Sequence, residues 1–169
     1  MSKTVIIPGS FDPVTKGHES VVKRASNLFD TVYVALMLNS QKKYLFTKEE
    51  RLYFCQKAFE ELPNVKVVAY NGLLASLYGE VGAVSLVKGV RSSVDYAYET
   101  DLFFINKNIG GDIETIFIPS EAKYQHISSS MIREYLVYGL DPKDIIPDKT
   151  AEEVLEKYRL KNINNGGER

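Results

Sequence analysis

Five short apolar runs rich in β-branched residues, at positions 3–7, 31–38, 65–70, 84–88 and 115–118, recur along the chain with a helical pattern after each. Several of them are continuously apolar instead of alternating, as strands covered on both faces are. The segment 18–29 puts Val21, Val22, Ala25, Leu28 and Phe29 on one helical stripe, and 48–62 does the same with Leu52, Cys55, Ala58, Phe59 and Leu62. Thr47-x-x-Glu50 is a capping box that starts the second of these helices. Further helices are expected at 73–78, 94–108, 130–138 and 151–160. Strict alternation of strand and helix, joined by right-handed crossovers, predicts an α/β fold: one doubly wound, five-stranded parallel sheet with helices on both faces. Such sheets bind ligands at the C-terminal ends of their strands. The predicted domain spans 1–161, and the polar, Gly-rich stretch 162–169 is expected to be a disordered tail.

The chain has 169 residues, 44% of them hydrophobic, which suits one domain with one sizeable core. Its 21 basic and 22 acidic residues leave a net charge of −1, so no global field attracts DNA or an anionic membrane. Any phosphate must be held by local groups. The single cysteine, Cys55, rules out an intrachain disulfide and a cysteine-rich metal site. The run Val5-Ile6-Ile7 stops at Pro8-Gly9, too short for a secretory signal, and no stretch is long enough to span a bilayer. A cytoplasmic protein is the expectation.

The most informative segment is Pro8-Gly9-Ser10-Phe11-Asp12-Pro13-Val14-Thr15-Lys16-Gly17-His18, leading from the first strand into the first helix. Neither a G-x-G-x-x-G fingerprint nor a G-x-x-x-x-G-K-[ST] phosphate loop occurs in the chain. A glycine turn still lets backbone approach a ligand, and a helix N-terminus supplies free N–H groups for phosphate. His18, in that first helical turn, can donate to phosphate oxygens as charge builds on them. It can equally be a partly buried helix histidine, with Asp12 a turn residue bonding its own backbone.

Gly9-Ser10-Phe11-Asp12-Pro13 followed by Thr15-Lys16-Gly17-His18 resembles the strand–turn–helix signature of the nucleotidyltransferase superfamily. The similarity to phosphopantetheine adenylyltransferases extends along the chain through Lys42-Lys43, Phe46-Thr47-x-Glu49-Glu50-Arg51, Lys88-Gly89-Val90-Arg91, Tyr98-Glu99 and Ile127-Ser128-Ser129-Ser130. That resemblance implies a Rossmann-like nucleotidyltransferase fold with His18 as the catalytic residue. It places Ser10, Lys42, Leu74 and Lys88 at the acceptor, 4′-phosphopantetheine, with Leu74 against the pantetheine arm. ATP is placed at Ser10, Phe11, His18, Gly89, Val90, Arg91 and Glu99, and along Tyr124, Gln125, His126, Ile127, Ser128, Ser129 and Ser130. Within that stretch His126 is expected at the surface, and one serine as a helix cap. Lys43 is expected to be a solvated loop lysine and Tyr98 a packing residue. Two departures stand out: Lys88 where relatives usually carry arginine, and Gly72 where some carry an acidic residue. Lysine keeps the charge but loses the bidentate fork.

No serine–histidine pair or reactive-cysteine context supplies a covalent nucleophile, so direct in-line transfer is the expected route. The resemblance implies dephospho-CoA and pyrophosphate as products, in coenzyme A biosynthesis, with Mg²⁺ arriving on the nucleotide because no carboxylate cluster marks a metal cage. It also implies a homo-oligomer, a hexamer in bacterial relatives, and feedback binding of CoA. Two alternatives stay open. One is another small-molecule nucleotidyltransferase, either a cytidylyltransferase, whose last motif reads Arg-Thr-x-Gly-Ile-Ser-Thr, or an adenylyltransferase that forms NAD or FAD. The other is a non-catalytic nucleotide sensor, which has no need of a charge stabiliser such as His18.

Overall fold

The structure, a computed structural model, describes residues 3–39 and 41–165. Five parallel strands, β1 (Thr4–Gly9), β2 (Thr31–Met37), β3 (Val65–Tyr70), β4 (Ser85–Val90) and β5 (Thr115–Pro119), form one sheet in the order β3-β2-β1-β4-β5. Helices α1 (Lys16–Ser26), α2 (Lys48–Ala58), α3 (Leu74–Glu80), α4 (Ser93–Gly110), α5 (Ser129–Val137) and α6 (Ala151–Asn165) cover it. The predicted doubly wound sheet is present, with the chain reversing its direction of travel between β1 and β4.

Successive strand residues face opposite sides, and the core divides accordingly. Val5, Ile7, Val32, Val34, Leu36 and Val87 pack with Val22 of α1, Phe54 of α2, Ile132 of α5 and Val154 of α6. Ile6, Ala35 and Leu86 pack on the other side with Leu77 of α3 and Ile113. Arg51 is buried within α2, and burial pushes the Cys55 thiol pKa up, so that cysteine stays an inert core residue. Leu28 departs from its expected place in the core stripe. Helix α1 ends at Ser26, so Leu28 falls past the last turn and is 66% exposed. Helix α6 continues to Asn165 where a tail was expected from 162, and residues 166–169 lie outside the described residues.

One irregularity in the ladder shapes the site. Strands β1 and β2 pair along six residues, whereas β1 and β4 pair only at Val5↔Ser85 and Ile6↔Leu86. Beyond that point β1 carries Pro8, which has no N–H to offer, and the C-terminal ends of β1 and β4 part. A crevice therefore opens at the switch in strand order, where open α/β sheets take their ligands. Gly89, at its edge, keeps α1 close: a Cβ there would lie 2.8 Å from Cγ2 of Val21.

Gly89→Ala should therefore push α1 away from β4, at a cost of about 1–3 kcal/mol in stability. Urea unfolding measures it, and an unchanged midpoint would mean that Val21 yields freely.

Candidate active site

The turn after β1 is built around a strained residue. Phe11 has φ of 46°, in the left-handed region that side chains avoid, yet it is only 2% exposed. Its ring lies across Gly9, where a Cβ would come within 3.0 Å of it, and meets the His18 ring edge-on at a centroid distance of 4.9 Å. Strain of this kind costs about 1–3 kcal/mol and survives where packing over-determines it. A Cβ at residue 9 would press on the ring that backs the histidine, which would have to give by a few tenths of an ångström.

His18 occupies the third position of α1 and closes a capping box with Thr15. Thr15 Oγ1 accepts from the His18 amide at 3.1 Å, and the Thr15 amide donates to His18 Nδ1 at 3.1 Å. An amide can only donate, so Nδ1 is the acceptor and the proton of the neutral ring sits on Nε2. The ring keeps an open face on the crevice, and no described residue bonds Nε2. Desolvation by the surroundings, and then the positive charge of Arg91, lower its pKa from 6.5 to about 4. At neutral pH His18 is thus an uncharged donor held in one tautomer.

The crevice holds about 290 Å³ and is lined by Ser10, Phe11, His18, Lys88, Gly89, Arg91, Glu99, Ile127, Ser128 and Ser129, among others. The two cations on its β4 side are already paired. Lys88 Nζ lies 3.0 Å from Glu99 Oε2, in ion-pair contact without hydrogen-bond geometry. Arg91 donates from Nε and NH2 to the Asp95 carboxylate at 2.8 and 3.0 Å, and from NH1 to the Ile127 carbonyl at 3.1 Å. Each charge in the Arg91–Asp95 pair favours the other: Asp95 raises the Arg91 pKa and Arg91 holds the Asp95 carboxyl below its usual range. Glu99, expected at the nucleotide, is thus held against Lys88, expected at the acceptor, about one helix turn along α4 from Asp95.

Next to Ile127, Ser128 caps α5 by accepting from the Met131 amide at 3.1 Å. Ser129 donates to the Pro13 carbonyl at 2.8 Å, and Ser130 accepts from Arg133 at 2.9 Å. The three serines have therefore separate tasks, one capping, one tying α5 to the first turn, one bonding within its helix. Arg133 strengthens the tie by donating to the Asp12 carbonyl at 2.7 Å.

Other expected residues fall outside this crevice. Lys42 is exposed in the loop after β2, but its Nζ donates to Ser10 Oγ at 3.2 Å and so reaches the crevice rim. Leu74 is half-buried at the start of α3 and packs against the smaller core. Tyr124, Gln125 and His126 belong to a 3-10 turn and its exit, with Gln125 and His126 exposed. Val90 ends β4. Tyr98 corrects the expectation of packing: it stands 62% exposed, because α4 turns that face away from the sheet. The roles of Asp12 and Arg133 are tertiary, whereas Asp95 meets Arg91 only four residues away; of the three, only Asp12 was singled out by sequence. Its carboxylate does not bond its own turn; it accepts from the amides of Leu45 and Phe46, both at 2.9 Å.

The histidine gives a direct check by titration. Its folded pKa lies below the unfolded value, so the unfolded chain takes up the proton first, and stability should fall as pH drops from about 6.5 towards 4. NMR of the His18 ring should show a midpoint near 4. A midpoint at or above 6.5 would contradict a desolvated, neutral donor.

With the geometry in place, comparison with known proteins is informative. Residues 6–135 match the cytidylyltransferase-like family. A phosphopantetheine adenylyltransferase from Caldanaerobacter subterraneus is 38% identical over 157 residues, covering 93% of this chain and 98% of the relative. One from Symbiobacterium thermophilum is 41% identical over 153 residues, covering 90% and 94%. Among solved structures, one from Vibrio parahaemolyticus assigned as a nicotinate-nucleotide adenylyltransferase superposes with a TM-score of 0.70 at 20% identity, over 94% of this chain and 96% of that one. That last likeness concerns the fold alone. The match over most of the chain shows that the chain belongs to the cytidylyltransferase-like family of nucleotidyltransferases and, within it, to the phosphopantetheine adenylyltransferases.

Proposed function

We propose that the protein transfers the adenylyl group of ATP to 4′-phosphopantetheine, giving dephospho-CoA and pyrophosphate. An oxygen of the acceptor phosphate attacks the α-phosphorus in line. The new P–O bond forms as the bond to the β-phosphate oxygen breaks, and the electron pair leaves with pyrophosphate. The attacking oxygen is already anionic, so no strong base is needed, and catalysis rests on positioning and on stabilising charge at the α-phosphate.

The observation that carries this reading is the single-tautomer, neutral His18 with its Nε2 proton free beside the crevice. A fixed neutral donor adds a hydrogen bond where negative charge grows and costs no reorganisation. Lys42 and Lys88 hold the acceptor phosphate, and Leu74 offers an apolar wall to the pantetheine arm. Arg91, the backbone at Gly89 and Val90, and the segment from Tyr124 to Ser130 place the triphosphate, with Ser10 between the two substrates and Phe11 backing the histidine. Glu99 acts by holding Lys88.

Mg²⁺ enters this reading on the nucleotide, where it neutralises phosphate charge. Asp95 and Glu99, the two carboxylates lining the crevice, are committed to Arg91 and Lys88, and no group of three His, Cys, Asp or Glu residues suited to a metal lies among the described residues. In this reading the ion comes with the nucleotide, and no step is assigned to it.

A homo-oligomer and a cytoplasmic location belong to the same proposal. Helix α4 has no buried residue and exposes Val94, Tyr96, Tyr98, Phe104, Ile105 and Ile109, an apolar surface that association would cover. No helix among the described residues is long and apolar enough to cross a membrane. Light scattering should give a mass several times the 19.1 kDa of one chain, and a monomer would refute the oligomer.

Steady-state release of pyrophosphate from ATP with phosphopantetheine tests the reaction, with CTP as the competing nucleotide. His18→Ala should lower kcat about 100- to 1,000-fold, or roughly 3–4 kcal/mol, while ATP affinity changes little. Lys88→Ala should raise the acceptor KM strongly, whereas Lys88→Arg should keep activity within about tenfold. Near wild-type kcat without His18 would remove it from the mechanism, and a wild-type acceptor KM in Lys88→Ala would make Lys88 only a partner for Glu99.

A further inference from the structure

Arg51 is a buried cation that the reaction as described does not use. Its side chain belongs to a residue only 2% exposed, and no carboxylate stands within ion-pair distance of it among the described residues. A buried charge without a counter-ion is costly, and an apolar residue of similar volume would often serve stability as well or better. What the guanidinium does instead is hold two groups. Its NH1 donates to the Ser10 carbonyl at 2.8 Å, and its planar head lies 3.8 Å from the centre of the Tyr44 ring. Nε has no acceptor.

The same two residues are also the contacts of Lys42, which meets Ser10 at its hydroxyl and not at its carbonyl. Lys42 Nζ donates to Ser10 Oγ at 3.2 Å and lies 5.8 Å from the centre of the same Tyr44 ring. Lys42 is otherwise an exposed loop lysine. A cleft of about 580 Å³ opens beside it, lined by Lys42, Tyr44, Arg51, Lys48 and Lys161. Lys48 and Lys161 are committed to Glu49 at 3.3 Å and Glu50 at 2.8 Å, so Lys42 and Arg51 are the two cations there without a carboxylate among the described residues.

We infer that Arg51 is a positioning residue for Lys42, acting through the Ser10 carbonyl and the Tyr44 ring. The inference rests on the reading of Lys42 as the acceptor-phosphate lysine. By fixing the residue that Lys42 bonds and the ring it lies over, Arg51 presents the ammonium already ordered, and acceptor binding does not have to supply that ordering. ATP, which in this reading meets Ser10 but neither Lys42 nor the Tyr44 ring, gains far less from it. A merely structural arginine would affect both substrates or neither.

Arg51→Met keeps the volume and removes the charge, the donor and the stacking plane. It should raise the KM for phosphopantetheine about tenfold, the typical loss when one long side chain must be ordered on binding, with the KM for ATP within about twofold. Arg51→Lys should fail to restore the acceptor KM, since an ammonium cannot donate and stack as a planar fork does. Tyr44→Leu leaves Arg51 on Ser10 and removes the ring; it should shift the acceptor KM in the same direction and carries the test if Arg51→Met does not fold. Equal changes in both KM values, or none, would overturn the inference while wild-type turnover left the assigned reaction standing. Wild-type protein that releases no pyrophosphate with this acceptor would overturn the assigned reaction, and this inference with it.

Discussion

The reciprocal cap between Thr15 and His18 is the interaction on which the site depends. Two ordinary hydrogen bonds, from the His18 amide to Thr15 Oγ1 and from the Thr15 amide to His18 Nδ1, start helix α1 and at the same time orient an imidazole. Capping boxes normally use glutamate or glutamine at this third position. With histidine there, the same geometry also selects the tautomer, because a backbone amide can only donate. One local geometry both starts the helix and sets the tautomer, while burial and Arg91 keep the ring neutral.

The rest of the structure brings the sheet to that helix. The β1–β4 ladder stops at Ile6 and Leu86, which parts the strand ends, while Gly89 lets α1 lie against β4 at a distance no larger residue tolerates. Asp12 then binds the backbone of the next loop through two amides, and Ser129 and Arg133 bind the first turn from α5. The strained Phe11 is held by these ties from both sides. A turn that would relax in isolation keeps its conformation because two separate elements, the loop after β2 and α5, are bonded to it.

Charge is handled locally, as a net charge of −1 requires. Lys88 faces Glu99 and Arg91 faces Asp95, so the crevice presents paired charges instead of a bare positive field. Pairing limits the cost of desolvating the cations and fixes where their remaining donors point. The Arg91 charge is still felt at His18, where it adds to desolvation in keeping the ring neutral. Burial and a neighbouring cation act in the same direction on that histidine, whereas on a carboxylate they would oppose each other.

Much of this was legible in the residues. Continuous apolar runs alternating with helical stripes determine a doubly wound parallel sheet, since right-handed crossovers leave few other arrangements, and the glycine turn with His18 marks the ligand end. The ends of helices were less legible: Leu28 fits the apolar stripe, but α1 stops at Ser26, because the periodicity of side chains does not record where the backbone turns away. Nor could spacing show that Asp12 serves Leu45 and Phe46, that Arg133 reaches the Asp12 carbonyl, or that Lys88 meets Glu99. Asp12 and Leu45 are 33 residues apart, and Arg133 is 121 from Asp12. The sequence by itself determined the doubly wound parallel class of the sheet, because that follows from local patterns, and it offered candidate site residues through a family resemblance. Which residue holds which was decided only by tertiary structure, because a hydrogen bond depends on distance in space and the chain carries no local signal for it.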